Sequence, residues 1–179
     1  MNYVVSVPPT DELLTSAEAK AHVTAIDASD DTYIADLIKD AREYCEGITG
    51  RALAAQTIEA YPETFSYVMQ LPKEPVVAIL SVKYTDYDGV ETTMSADNYK
   101  LDEVSGKLAL KVLPSFSPSI AKPIKITYTA GHTVLPRVIR RAMLVLIAYW
   151  YDNRGDKELP KNVEERVNNL LFGKKVFFL

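Results

Sequence analysis

The 179-residue sequence predicts an α+β fold, a helical bundle formed by the N- and C-terminal segments with an inserted antiparallel β-module. Three observations carry this. Apolar residues recur at helical spacing before residue 50 and again after residue 133. Between those stretches the pattern changes to alternation, the mark of half-buried antiparallel strands. Neither helical segment can bury its apolar face alone, so the two are expected to pack together. The whole reads as a single domain over 1–179, with N-terminal helices in 13–54, the β-module in 55–132, C-terminal helices in 133–173 and a tail at 174–179.

Met1–Asp11, which contains Pro8-Pro9, reads as an irregular arm. Thr15 and Glu18 form a T-x-x-E capping box that opens a short helix to about Val23. Asp27–Asp31 is a polar break offering Ser29 and Asp30 as N-caps. The next helix aligns Ile34, Leu37, Ile38, Ala41, Tyr44, Cys45 and Ile48, and Gly50 is placed to end it. In the middle, Gln56–Tyr61 alternates. Ile79–Tyr84 sets Leu80, Val82 and Tyr84 against Ser81 and Lys83, and Asp88-Gly89 signals a hairpin just after it. Lys107–Val112 and Ile124–Tyr128 alternate as well, and prolines 62, 72, 75, 114, 118 and 123 mark the connecting loops. After Gly131-His132 a helix runs from Pro136, at a first-turn position, to about Asn153. A loop, Gly155–Leu159, precedes a last helix from Pro160 with Val163, Val167, Leu170 and Leu171 inward, ended by Gly173.

The most informative stretch is LPRVIRRAMLVLIAYWYDNR, Leu135–Arg154. From Ala142 to Tyr151 it is apolar without a break, although a surface helix normally keeps one polar face. Spanning a bilayer takes about 20 apolar residues, and Arg137, Arg140 and Arg141 interrupt the start, so no membrane is expected. Protein must cover both sides. The Ile34–Ile48 helix of the same subunit supplies one cover, and a neighbouring subunit is open as a second. Arg140, Arg141, Leu144, Ile147, Trp150 and Tyr151 are accordingly candidates for core or subunit interface. The two arginines lie where the helix macrodipole disfavours cations, so acidic groups should compensate, within the subunit or across to the next.

Hydrophobic content of 47% and charged content of 25% are ordinary for a globular protein, and no signal peptide is expected. The one cysteine, Cys45, fits a reducing cytosol and a buried structural thiol. The net charge of −4 argues against general nucleic-acid binding through phosphates. Residues 1–50 carry a net of −7 and residues 134–179 a net of +4, which suits head-to-tail packing of copies into a ring or simply two solvated faces.

Catalytic, cofactor and metal residues are all expected to be none. His22 and His132 have no zinc spacing. Asp86-Tyr87-Asp88-Gly89 has its glycine fourth rather than sixth, so it reads as a turn and not a calcium loop. No phosphate loop, dinucleotide fingerprint or nucleophile elbow is present. Asp30-Asp31 and Asp102-Glu103 read as caps and solvated pairs. The tail, Lys174, Lys175, Val176, Phe177, Phe178 and Leu179, is sticky unless it docks, on its own core or on a partner.

The order of blocks is similar to that of the head–tail connector, or adaptor, proteins of long-tailed bacteriophages and prophages. LTSAEAKAHV (Leu14–Val23) leads to IADLIKDAREYCEGITGRAL (Ile34–Leu53); LPKEPVVAILSVKYTDYDGVE (Leu71–Glu91) and ITYTAGH (Ile126–His132) follow; then comes the arginine-led apolar helix. The resemblance spans roughly residues 13–172 and rests on packing patterns, not catalytic signatures. It implies a structural protein of the virion neck, assembled in the bacterial host cytoplasm. Twelve copies would form a ring below the portal protein, letting DNA pass without specific binding and offering a platform to a downstream neck or tail protein. It also implies portal docking by Lys174–Leu179. Two other readings stay open on the residues: a small cytosolic enzyme with a site between helices and β-module, or a nucleic-acid-binding module using Arg137, Arg140, Arg141, Lys174 and Lys175.

Overall fold

A computed structural model describes residues 1–23, 30–102, 105–154 and 158–176. They divide into two compact units, one of helices (11–53 and 133–179) and one of strands (1–10 and 54–132). The class is α+β, and the helical unit is drawn from both ends of the chain as the patterns predict.

The helical unit contains α1 (Ser16–Val23), α2 (Asp31–Thr49), α3 (Arg137–Asp152) and α4 (Lys161–Leu171). The capping box forms reciprocally: Thr15 N–H donates to Glu18 Oε2 at 3.0 Å and Glu18 N–H donates to Thr15 Oγ1 at 3.2 Å. Gly50 closes α2 in the left-handed conformation, φ 70°, its N–H donating to the Glu46 carbonyl. The core joins Ile34, Leu37, Ile38, Ala41 and Cys45 of α2 to Ile139, Ala142, Met143, Leu146 and Ile147 of α3, with Val167 and Leu171 of α4. Each fully buried Leu, Ile or Met side chain contributes about 1.5–3 kcal/mol of hydrophobic stabilisation.

Two helix boundaries differ from the sequence reading. Pro136 is the N-cap of α3 rather than its first residue, and its carbonyl accepts the Arg140 N–H at 2.9 Å. Its missing N–H is as harmless there as one position later. Gly173 does not end α4; the α-helix stops at Leu171 and tightens into a 3-10 turn, Phe172–Lys174. The expected cap at Ser29, the whole Gly155–Leu159 loop and Glu103 fall wholly or partly outside the described residues.

The β unit holds β1 (Asn2–Val7), β2 (Gln56–Tyr61), β3 (Val68–Gln70), β4 (Val76–Thr85), β5 (Glu91–Thr93), β6 (Tyr99–Asp102), β7 (Lys107–Leu110) and β8 (Ile124–Ala130). They form an antiparallel five-stranded sheet, β1-β2-β8-β4-β5, and a three-stranded sheet, β3-β7-β6. Ile124, Ile126, Tyr128 and Ala130 of β8 share a buried face with Ile58 and Ala60 of β2, to which Val82 of β4 adds. The buried Tyr128 hydroxyl donates to the Pro72 carbonyl at 2.6 Å.

The arm is not irregular. Asn2–Val7 pairs antiparallel with β2 as an edge strand. Its Tyr3-Val4-Val5 run has strong β propensity, but every residue is exposed, so there is no inside–outside alternation to read. Leu80 does not share a face with Val82 either. The ladder to β8 slips between Val76 and Ala78 and again between Ile79 and Ser81, leaving Val77 and Leu80 as bulged residues. The Asp88-Gly89 turn forms as expected: Asp86 Oδ1 accepts the N–H groups of Asp88 (3.0 Å) and Val90 (2.9 Å), and Gly89 takes φ 81°.

Gly131 ends β8 at φ 134°, where a Cβ would stand 2.4 Å from the Ala54 carbonyl oxygen. Gly131→Ala is expected to cost about 1–3 kcal/mol for the backbone alone, with the clash added. Urea denaturation followed by circular dichroism would read the loss, and an unchanged midpoint would contradict the close approach.

Candidate functional site

The candidate residues of α3 divide by environment. Ile147 is fully buried, and Leu144, Trp150 and Tyr151 are half-buried against the same core. Trp150 packs edge-on against Tyr44 of α2, centroids 6.1 Å apart, and its carbonyl accepts the Tyr33 hydroxyl at 3.0 Å. Tyr151 lies 6.3 Å from the Tyr33 ring, and the Arg154 guanidinium sits over both rings at 4.7 and 4.9 Å. The aromatic end of the apolar run is therefore covered inside the subunit, by α2. Arg141 is exposed.

Arg140 finds its compensating acid within the subunit. Its Nη1 donates to Glu18 Oε1 at 2.6 Å, so the second residue of the capping box also answers the charge that opposes the α3 dipole. Both side chains are more than a third exposed, which limits such a pair to about 1 kcal/mol or less. Asp30, read as an N-cap, makes no cap bond. Its carboxylate instead accepts the Tyr151 hydroxyl at 2.5 Å and Arg154 Nη2 at 2.8 Å. Asp31 pairs with Lys20. Two acids from the front of the chain, Glu18 and Asp30, thus meet two bases from its back, Arg140 and Arg154, within the helical unit.

The hydrogen bonds of Thr15 hold the Glu18 carboxyl below the usual range, and those of Tyr151 and Arg154 do the same for Asp30. Carboxylates shifted down stabilise the fold above their unfolded pKa and lose that contribution as pH falls through the native value.

One cluster gave no sequence signal. Arg42, buried on α2, donates through Nε to both Glu12 oxygens at 2.9 and 3.1 Å, with Glu46 Oε1 3.7 Å from Nη1. Glu46 also accepts the Leu53 N–H at 2.8 Å. Burial alone would lower the Arg42 pKa, and Glu12 reverses it, so the ion stays charged. Its spacing matches any solvated helix face, which is why it was invisible. Cys45 is buried and its thiol is pushed up to about 12 by desolvation, the state of an inert structural thiol.

The tail begins by folding back. Val176 N–H donates to the Thr49 carbonyl at 2.8 Å, and the Lys174 carbonyl accepts Arg51 Nε at 2.7 Å. Lys175 lies between them; Phe177, Phe178 and Leu179 are outside the described residues.

Two open depressions lie on the helical unit. One is lined by Asn162, Glu165, Arg166, Asn169 and Leu170 on α4, another by Tyr44, Trp150, Glu158, Leu159 and Glu164. Among the described residues no three His, Cys, Asp or Glu side chains gather as a metal site, and no helix is long and apolar enough to cross a membrane.

A family model described as head completion protein matches residues 12–159. The chain belongs to the head completion protein family. It is a structural head–tail connector protein of the phage type. Among solved structures, this head completion protein is similar to a chain in the neck of an empty gene transfer agent particle computed with C6 symmetry. That match has a TM-score of 0.74 and 21% identity, covering 100% of this chain and 98% of that one. It is also similar to a chain of the native gene transfer agent virion (TM-score 0.70, 23% identity, 100% and 98% covered). A third likeness is to the neck of the native particle computed with C12 symmetry (0.64, 26%, 99% and 96%). No protein of curated function matches in sequence. The enzyme and nucleic-acid readings gain no support from the family or from these structures.

Trp150→Ala is expected to lower the stability of the helical unit by about 3 kcal/mol, seen as a shift of the urea midpoint. A variant as stable as the parent that failed only to assemble would move Trp150 to an interface. The double variant Glu18→Gln, Asp30→Asn should be less stable than the parent at pH 7, with the difference closing as the pH falls through the depressed native values of the two carboxylates. A pH-independent difference would contradict the two depressed carboxylates.

Proposed function

We propose that this connector forms a ring of twelve copies in the virion neck, seated below the portal and carrying the DNA channel onward to the next neck or tail protein. The observation that carries the reading is the likeness over nearly the whole chain to neck proteins of particles computed with C6 and C12 symmetry. All of 1–179 acts as one connector domain, assembled in the bacterial host cytoplasm. Its role is mechanical: α3 is the spine of a rigid helical frame, and the ring passes DNA without holding it. A net charge of −4 suits that task, because neutralising phosphates would retard sliding.

Portal contact falls to Lys174–Leu179. Supporting this, Lys174–Val176 is anchored to the end of α2 through Thr49 and Arg51, so the residues that follow start from a fixed point. Removing Phe177–Leu179 should abolish co-sedimentation with the portal while leaving the fold and self-association unchanged, as read by circular dichroism and electron microscopy. Undiminished portal binding by the truncated chain would refute the assignment.

A further inference from the structure

The five-stranded sheet has two open edges. β1 pairs with β2 on one side only. β4 is flanked by β8 along Val76–Tyr84, but β5 covers its other side only at Lys83–Thr85. Among the described residues no strand pairs with the outer side of residues 76–81. The open stretch of β4 and the whole of β1 are each six residues long.

Neither edge is guarded by charge. NYVVSV and VVAILS contain no Lys, Asp, Glu, Arg or Pro, the residues that normally keep an edge from pairing. Both strands carry bulges, which twist an edge: β1 slips between Val5 and Val7, and the two bulges of β4 leave Val77 and Leu80 56% and 55% exposed. On β1, Val4 and Val7 are 45% and 52% exposed. Two apolar, unpaired strands of equal length on opposite sides of one sheet are an aggregation liability unless something covers them.

We infer that they cover each other: β1 of one copy pairs antiparallel with residues 76–81 of the next, so that the sheets run on from subunit to subunit around the ring. This rests on the ring reading above. Strand direction supports it. Every neighbour in β1-β2-β8-β4 is antiparallel, so β1 and β4 point opposite ways within one copy. Rotation by one-twelfth of a turn changes a strand's direction by no more than that angle. The next copy's β1 therefore arrives beside β4 already antiparallel, continuing the alternation. The contact joins two different surfaces, as a ring requires; β1 against β1 would be self-complementary and would stop at a dimer. Backbone hydrogen bonds supply the attachment, as in other strand-addition interfaces.

The test uses the full chain with Val4→Cys and Ala78→Cys, singly and together, in rings seen by electron microscopy, treated with a short bismaleimide that tolerates a one-step register slip. The double variant should give a covalent ladder of subunit multiples, and each single variant should stay monomeric on a denaturing gel. A dimer from Val4→Cys alone, or intact rings of the double variant without a ladder, would overturn the edge pairing while the ring reading stands. Absence of rings both in the purified protein at high concentration and in assembled particles would overturn the ring reading and this inference with it. Val4→Lys with Leu80→Lys provides a second measurement. It should weaken self-association by roughly tenfold or more with the thermal transition of the monomer unmoved; unaltered association would count against the pairing.

Discussion

From Ala142 to Tyr151 α3 offers no charged side chain, and that run dictates how the chain must fold. A helix apolar on all sides needs cover on all sides, and one partner helix provides only a stripe. Here α1 and α2 come from before residue 53 and α4 from after residue 158, so the cover is collected from both ends of the chain. Ile139, Ala142, Met143, Leu146 and Ile147 take the fully buried positions. The wider aromatic positions, Trp150 and Tyr151, are finished by Tyr44, Tyr33 and Arg154.

Electrostatics follow from the same closure. Placing arginines in the first turns of α3 opposes its dipole, and the capping glutamate of α1 lies where it can answer Arg140. At the far end Asp30, displaced from capping α2, ties Tyr151 and Arg154 together. Two acids from the front of the sequence and two bases from its back thus help to hold the helical unit together.

The amphipathic helices and the central strands were legible in the sequence because each has one wet and one dry face, α3 through its unbroken apolar run, and the Asp88-Gly89 turn through its residue types. Ile124–Ala130 alternates perfectly, and its burial alternates with it. What escaped were features where that contrast fails. β1 has no dry face, so Tyr3-Val4-Val5 looked like an arm. Leu80 keeps the alternation on paper, but two bulges turn it out. Arg42 looked like any solvated helix residue until the fold buried it beside Glu12 and Glu46. Of the α3 candidates for core or interface, three-dimensional packing alone could place Ile147 in the buried core and Leu144, Trp150 and Tyr151 half-buried against it. The open strand edges had no sequence signal beyond missing charges, since an edge is defined by topology.

Cover of α3 by α1, α2 and α4 of its own subunit leaves assembly to other surfaces. Amide hydrogen exchange of the dilute monomer and of the assembled ring tests it most directly. The α3 amides from Ala142 to Tyr151 should be equally protected in both states, with new protection on assembly confined to surfaces outside the helical core. Fast exchange along α3 in the monomer, slowed only when the ring forms, would contradict it and make a neighbouring subunit the missing cover.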